Sequence, residues 1–440
     1  MSNAKYLFVK NSSFSFAEKL LPVLFSFTYT ILLTAALSSA EYGLFNYIIA
    51  FALGFANLFG STTLNNLLTN FTAQKSSKSL FKKVFIAEFL IAGAIFLGLM
   101  LFNNIIITSV GGTTLSIIIM AGAILFLNPL TTIFASLNKG MENFNRVFVA
   151  SMLENLINLI FIALFVVILG YGIEGAFYSK YLSLIGSALI YIFYLKKTSF
   201  KNKPINKKEV ITYGKFSVIV EVIKEGGSMI QVIIMGLFIG PAILGVYYVA
   251  RKVTSLALNA PSEAIGDVLF PLNSKNFNNK KNIENYSSIC IKGAIILLVI
   301  MSIALIICAP LIIGIFFPKY TAALELIPLL ALLFIFEGYR KIDTIFKSIN
   351  KVQFNLLQAI ITFTIEIIVL LIFVPWLGVK GLIIAQIIWS AINGFTGYLL
   401  LRKVGGIKLS LIPMPRDLKY FYKEIRHLIP ILFKEVKNKF

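Results

Sequence analysis

FSVIVEVIKEGGSMIQVIIM, residues 216–235, has the apolarity of a membrane helix except at Glu221, Lys224 and Glu225. Spacing of i, i+3 and i+4 puts all three on one helical face, and Ser228 extends that face at i+7. An Asp, Lys or Arg at the centre of a spanning helix costs about 2.5–3.5 kcal/mol. Either the segment lies outside a membrane, or this face meets something polar inside one.

Composition decides between these. Of 440 residues, 58% are hydrophobic and 13% charged, and the mean hydropathy is +0.87. A soluble domain carries about 25% charged residues. The chain therefore reads as an all-α, polytopic integral membrane protein. Apolar runs fall near 14–37, 42–70, 84–107, 115–137, 147–170, 176–195, 214–239, 244–271, 286–316, 323–348, 355–376 and 379–401. Each is long enough for the roughly 20 residues a spanning helix needs, which predicts 12 transmembrane helices. The second, seventh and eighth are the most polar, and hydropathy alone scores them poorly. The first run is too long for a signal-peptide core and contains Glu18 and Lys19, so it reads as a span although SSA at 38–40 resembles a cleavage site.

The net charge of +21 is distributed by side. The tail before the first run, alternate loops and the segment after the last run hold 28 Lys and Arg, six of them in 196–213, whereas the opposite loops hold only Lys319. Positive residues stay cytoplasmic, which predicts both termini and the long middle loop in the cytoplasm of a cell-membrane protein. The excess is thus a topology signal and an attraction to the anionic inner leaflet, not a nucleic-acid footprint. Cys290 and Cys308 share one apolar run, His427 is the only histidine, and there is no phosphate-binding GxxxxGK[ST] loop. Neither a disulfide framework, a metal site nor a cofactor is implied.

The two halves repeat. SSAEYGLFNYIIAF (38–51) and IGPAILGVYYVARK (239–252) align with Gly43 on Gly245 and Asn57 on Asn259, both at an offset of 202. SLNK (136–139) aligns with SINK (348–351), and GYGIEGAF (170–177) with LGVKGLII (377–384), Gly172 matching Gly378. Six spans is an even number, so the copies are parallel repeats related by an axis along the membrane normal. The expected organisation is a six-helix lobe over 1–195, a basic linker over 196–213, a second lobe over 214–402 and a basic tail over 403–440. In the tail, Leu418, Phe421, Ile425, Leu428 and Leu432 recur at helical spacing among basic residues. That pattern suits an amphipathic helix on the inner leaflet.

Polar stripes concentrate on spans 1, 2, 7 and 8. Span 2 shows Asn57, Ser61 and Asn65 at i, i+4 and i+8, and span 8 shows Arg251, Ser255 and Asn259 with Lys252 and Glu263 alongside. Span 1 contributes Glu18 and Lys19. Four amphipathic helices inside a membrane are expected to face one another across a hydrated central cavity. Lys19, Lys224, Arg251 and Lys252, with Asn57 and Asn259, are candidate contacts for an anionic substrate. Glu18, Glu221, Glu225 and Glu263 are candidates for ion coupling or for structural ion pairs with those cations; Lys224 has Glu221 at i−3 for that purpose. Both readings stand.

The signatures EYGLFNYIIAF (41–51), ILGVYYVARKV (243–253) and GIEGAFYSKYLS (172–183), with twelve spans and cytoplasmic termini, resemble the polysaccharide or lipid-linked oligosaccharide flippases. These belong to the multidrug/oligosaccharidyl-lipid/polysaccharide (MOP) exporter superfamily. The resemblance runs to about residue 403. It implies two six-helix bundles that rock about a cavity holding the phosphate and sugars of a polyprenyl-linked glycan. It also implies headgroup contacts at Lys19, Lys224, Arg251 and Lys252, whereas span 2 lacks a basic residue to match the family's. Implied partners are the lipid-linked oligosaccharide, membrane lipid, protons or sodium as coupling ions, and other polysaccharide-assembly proteins. The nearest rival is a cation-coupled multidrug exporter of the same superfamily, which favours the acids Glu18, Glu221 and Glu225. A membrane-embedded polysaccharide enzyme fits less well: the longest loop, 196–213, offers one acid, Glu209, so the chain is not expected to be an enzyme.

Overall fold

A computed structural model describes residues 24–75, 78–101, 115–141, 143–196, 207–275, 279–340, 342, 345–346, 352–415 and 417. Among them the chain is all-α. The helices are α1 (Leu24–Ala36), α2 (Ser39–Leu58), α3 (Ser61–Lys75), α4 (Lys78–Leu101), α5 (Leu115–Gly140) and α6 (Phe144–Ile162). They continue as α7 (Gly172–Lys196), α8 (Lys207–Phe238), α9 (Pro241–Lys275), α10 (Lys280–Phe316), α11 (Ile327–Arg340) and α12 (Val352–Leu400). Every predicted apolar run contains one of these helices or part of one.

Six helices among the described residues are long and apolar enough to cross a membrane, or eight if each of two bent pairs is one span. The bent pairs are Ser39–Leu58 with Ser61–Thr69, at 60°, and Pro318–Glu325 with Ile327–Arg340, at 55°. Helices α8 and α9 have the length but not the apolarity, as their charged stripes predict. Element α12 has 49 residues, more than twice the roughly 20 that one span needs. It breaks at Gly378 (φ 55°, ψ −129°), between the eleventh and twelfth predicted spans. The chain is a multi-pass membrane protein.

The repeat has a conformational basis. Gly172 and Gly378, matched in sequence, have φ of +56° and +55°, left-handed values that glycine adopts without penalty. Three residues on, the matched Gly175 and Gly381 lie near the carbonyls of Phe165 and Phe373: a Cβ would collide with the second and press tightly on the first. Each repeat thus turns from its fifth to its sixth span in the same way.

The helix starts are locally encoded. Ser38 caps α2: its Oγ accepts the Glu41 N–H at 3.2 Å, while Glu41 Oε2 accepts the Ser38 N–H at 2.9 Å. Pro241 opens α9 at the position where a missing N–H costs nothing. Helix α2 ends at Gly60 (φ +99°), whose N–H bonds Asn57 O at 2.9 Å, and α3 leaves at the 60° bend.

By internal packing the chain forms two compact units. One comprises Met1–Lys252, Ile312–Ala323 and Leu370–Leu382; the other Val253–Leu311, Leu324–Val369 and Ile383–Phe440. In the first, α3, α4 and α5 enclose a core of Leu67, Leu68, Phe71, Phe81, Ile133 and Phe134, and α8 packs along α2 and α3. In the second, Ile283, Ile291 and Ile295 of α10 join Ile342, Ile345 and Phe346. Leu401, Ile407 and Leu409 complete this cluster. Residues 406–417 lie along α10. Lys408 N donates to Glu284 Oε1 at 2.5 Å, Ser410 N to Ser288 Oγ at 3.0 Å and Lys292 Nζ to Asp417 Oδ2 at 3.1 Å. The apolar tail positions Leu418, Phe421, Ile425, Leu428 and Leu432 lie outside the described residues.

Candidate functional site

The opening stripe lies on α8. Glu221, Lys224 and Glu225 are all half-buried, and α2 is the neighbour that meets them. Asn57, in the last turn of α2, hydrogen-bonds the Glu225 carboxylate, while Glu221 and Lys224 act on it electrostatically with opposite signs. Thr62 Oγ1, across the bend, donates to Asn57 Oδ1 at 3.1 Å. The bend thereby ties the end of span 2 to the charged face of span 7.

A second group forms where α9 meets α1. Lys252 is half-buried, and its Nζ donates to Ser26 Oγ. Arg251, one residue earlier and exposed, donates from Nη1 to Tyr247 Oη at 2.6 Å and lies 5.9 Å from that ring's centroid. Tyr247 is fully buried and holds the arginine stem against its own helix. Spans 1 and 8 are thus joined, as are spans 2 and 7. Asn259 is exposed on α9. Glu18, Lys19 and the Glu263 side chain lie outside the described residues.

The span 2 stripe does not keep one face. Sequence spacing groups Asn57 with Ser61 and Asn65, but the bend at Gly60 separates them. Asn57 turns to α8. Ser61 Oγ and Asn65 Nδ2 instead donate to Glu88 Oε1 of α4, at 3.0 and 3.1 Å, and Ser136 Oγ of α5 donates to Asn65 Oδ1 at 3.2 Å. Sequence reasoning missed Glu88 because it is one acid in an apolar run with no polar neighbour at helical spacing. The available signal was a hydroxyl and an amide on the preceding span, 27 and 23 residues earlier.

Acids that look isolated in sequence have partners across helices. Glu154 Oε1 of α6 accepts from Lys180 Nζ of α7 at 2.9 Å. Glu366, 8% exposed on α12, is attracted by Arg340, which also lies 3.6 Å from Glu337 and 4.3 Å from the centroid of the Trp389 ring. These contacts give otherwise isolated intramembrane charges partners on neighbouring helices or turns. The α1, α2, α8 and α9 groups set half-buried charges of both signs on α8 and a half-buried lysine on α9 against neutral Ser26 of α1 and Asn57 of α2. Such a surface can hold an anionic headgroup through its cations or a cation through its acids.

A family model described as polysaccharide biosynthesis protein matches residues 8–277. No curated protein sequence matches the chain. Among solved structures, the lipid II flippase MurJ in an inward closed conformation superposes with a TM-score of 0.69 at 19% identity, over 96% of this chain and 92% of that one. An inward-facing multidrug resistance transporter of the MATE family, MOP superfamily, gives 0.67 at 16% identity, over 86% and 93%. A MOP superfamily transporter from Pyrococcus furiosus gives 0.60 at 16%, over 90% and 94%. At these identities the likeness establishes a shared fold.

Proposed function

The chain belongs to the polysaccharide biosynthesis protein family, and from that premise we propose that it is a flippase for a polyprenyl-(di)phosphate-linked oligosaccharide. It works in the cytoplasmic membrane with both termini inside, in keeping with the one-sided distribution of Lys and Arg. The repeats 1–195 and 214–402 act as lobes that rock to expose the site to each side in turn. The chain acts as a transporter and not as an enzyme.

The observation that carries this reading is the half-buried Lys224 beside Glu225 and Asn57, on the charged face of α8. An ammonium at that depth attracts the phosphate of a headgroup whose lipid tail stays in the bilayer. Asn57 and the flanking acids orient it. Lys252, bonded to Ser26, and Arg251, on Tyr247, supply further positive charge toward α1. Glu18, Lys19, Asn259 and Glu263 extend the same set by sequence.

The purified chain in liposomes carrying a polyprenyl-diphosphate oligosaccharide in both leaflets tests this. An impermeant oxidant is expected to reach more substrate than the outer leaflet holds. Lys224→Ala should slow that by about tenfold or more, the loss of one charge-assisted contact, without reducing folded protein in the membrane. A fully active Lys224→Ala variant overturns the site. No exposure by the unmodified chain, together with proton-driven efflux of a cationic dye, would favour a multidrug exporter instead; the MATE-family fold likeness makes that the second reading.

A further inference from the structure

Glu88 is 1% exposed and lies ten residues beyond the start of α4, about 15 Å along the helix from its lysine-rich end. A carboxyl group at that depth needs hydrogen bonds or a counter-charge. The two donors it has are neutral: the Ser61 hydroxyl and the Asn65 amide. Both belong to α3. Ser61 is that helix's first residue after the 60° bend. The next residue, Thr62, donates to Asn57 Oδ1, and Asn57 hydrogen-bonds Glu225. Two sets of polar contacts, joined by the peptide bond between Ser61 and Thr62, therefore link Glu88 over the bend to the charged face of α8.

The surrounding elements bring few ionisable groups. Helix α3 has one, Lys75, at its far end. Helix α5 presents Ser136 and has one ionisable residue, Lys139, a turn nearer the lysine-rich side. Helix α2 has Glu41, Tyr42 and Tyr47, all in its first half and so remote from the bend. Helix α4 itself begins with Lys78, Lys82 and Lys83, all exposed. Hydroxyl and amide donors serve both the ionised and the protonated carboxyl, because each form keeps an acceptor oxygen.

We propose that Glu88 is a proton-binding residue through which a pH gradient acts on the bent second span; the proposal rests on the transport reading above. Ionised, Glu88 holds Ser61 and Asn65 by charge-assisted bonds, the stronger kind, and fixes α3 against α4. It then takes one proton from hydronium, whose O–H bond breaks as the carboxyl O–H forms and which leaves as water; no other covalent bond changes. The neutral acid keeps its shape but holds α3 more weakly. The first turn of α3 is freed, and Thr62 carries the shift to Asn57 and so to Glu225 beside Lys224.

Two measurements on the full chain test this. In detergent, infrared difference spectra between low and neutral pH should show, among the carbonyl bands of the chain's protonating carboxyls, a component band that is missing from Glu88→Gln. In liposomes, a pH gradient should change the flipping rate of the unmodified chain several-fold. Glu88→Gln should flip at one rate whatever the gradient, and Glu88→Asp should restore the response. An intact band in Glu88→Gln, or an unaltered gradient response, overturns the proposal. If the unmodified chain flips nothing, the flippase reading fails while the infrared band still decides the proton site. Should Glu88→Gln fail to fold, Ser61→Ala serves: removing one donor must move the pH at which the band titrates, and an unmoved band counts against the proposal.

Discussion

Gly43→Ala and Gly245→Ala are each expected to lower the unfolding free energy of the detergent-purified chain by about 3 kcal/mol or more, the upper range for overpacking. Leucine at either position should leave little folded protein. A Cβ on Gly43 would run into the Pro241 carbonyl oxygen and the Gly245 nitrogen, and a Cβ on Gly245 into the Ser39 carbonyl. Every obstacle is backbone, so no rotamer change relieves it. The contact is also reciprocal. Ser39 and Pro241 align at the same repeat offset of 202 that matches Gly43 with Gly245, and each glycine is the fifth residue of its helix. Because the close approach is reciprocal, a methyl group on either glycine pushes apart the same pair of helix starts. Close backbone approach at small residues is how spanning helices associate in lipid. Gly93→Ala is the control. It sits mid-helix in α4 with open space where its Cβ would go, and alanine there should be neutral or stabilising by about 0.5 kcal/mol. If Gly43→Ala melts with the unmodified chain and transports normally, the close approach of α2 and α9 at these glycines carries no stability.

The all-α, multi-pass character was legible because it is written in local composition. Twenty apolar residues, a lysine on one side and a glycine at the turn are all visible without knowing which helix touches which. The bend at Gly60 was not legible. Asn57, Ser61 and Asn65 keep perfect helical spacing in the sequence, and only a left-handed glycine between them sends Asn57 to α8 and the other two to α4. Charge partners were invisible for the same reason. Lys252 finds Ser26 from 226 residues away, and Glu154 finds Lys180 from 26. Spacing along one helix reports a shared face, never the helix opposite. Lys224 shows the limit in reverse. Its apparent i−3 partner Glu221 suggested a self-contained pair, whereas Glu225 also answers to Asn57 from another span.

Lys292→Met is expected to destabilise the chain by about 3 kcal/mol, near the lower end for breaking a buried ion pair, and to release residues 406–417 to proteolysis. Helix α10 has 37 residues, about 55 Å, against a hydrocarbon core of roughly 30 Å. Its first turns, KKNIENYSS, carry the side chains that hold the strap after Gly405. Two backbone N–H groups of the strap are taken by Glu284 and Ser288, exposed contacts worth little alone. The Lys292–Asp417 pair differs: its side chains are 8% and 20% exposed, and Asp417 Oδ2 also accepts the Met414 N–H at 2.7 Å. Removing the ammonium leaves a largely buried carboxylate with only part of its compensation. Its residual exposure admits some water, which keeps the cost toward the low end of the range. Lys292→Met with Asp417→Asn should recover most of the loss, since the amide oxygen still accepts from Met414 and no charge is stranded. Apolar packing of Ile407 and Leu409 on Ile283 and Ile291 persists in both variants, so a strap held by that packing alone would stay protected in Lys292→Met. Equal melting temperatures and equal protease resistance for all three chains would assign the strap to the apolar contacts and leave the ion pair without a structural role.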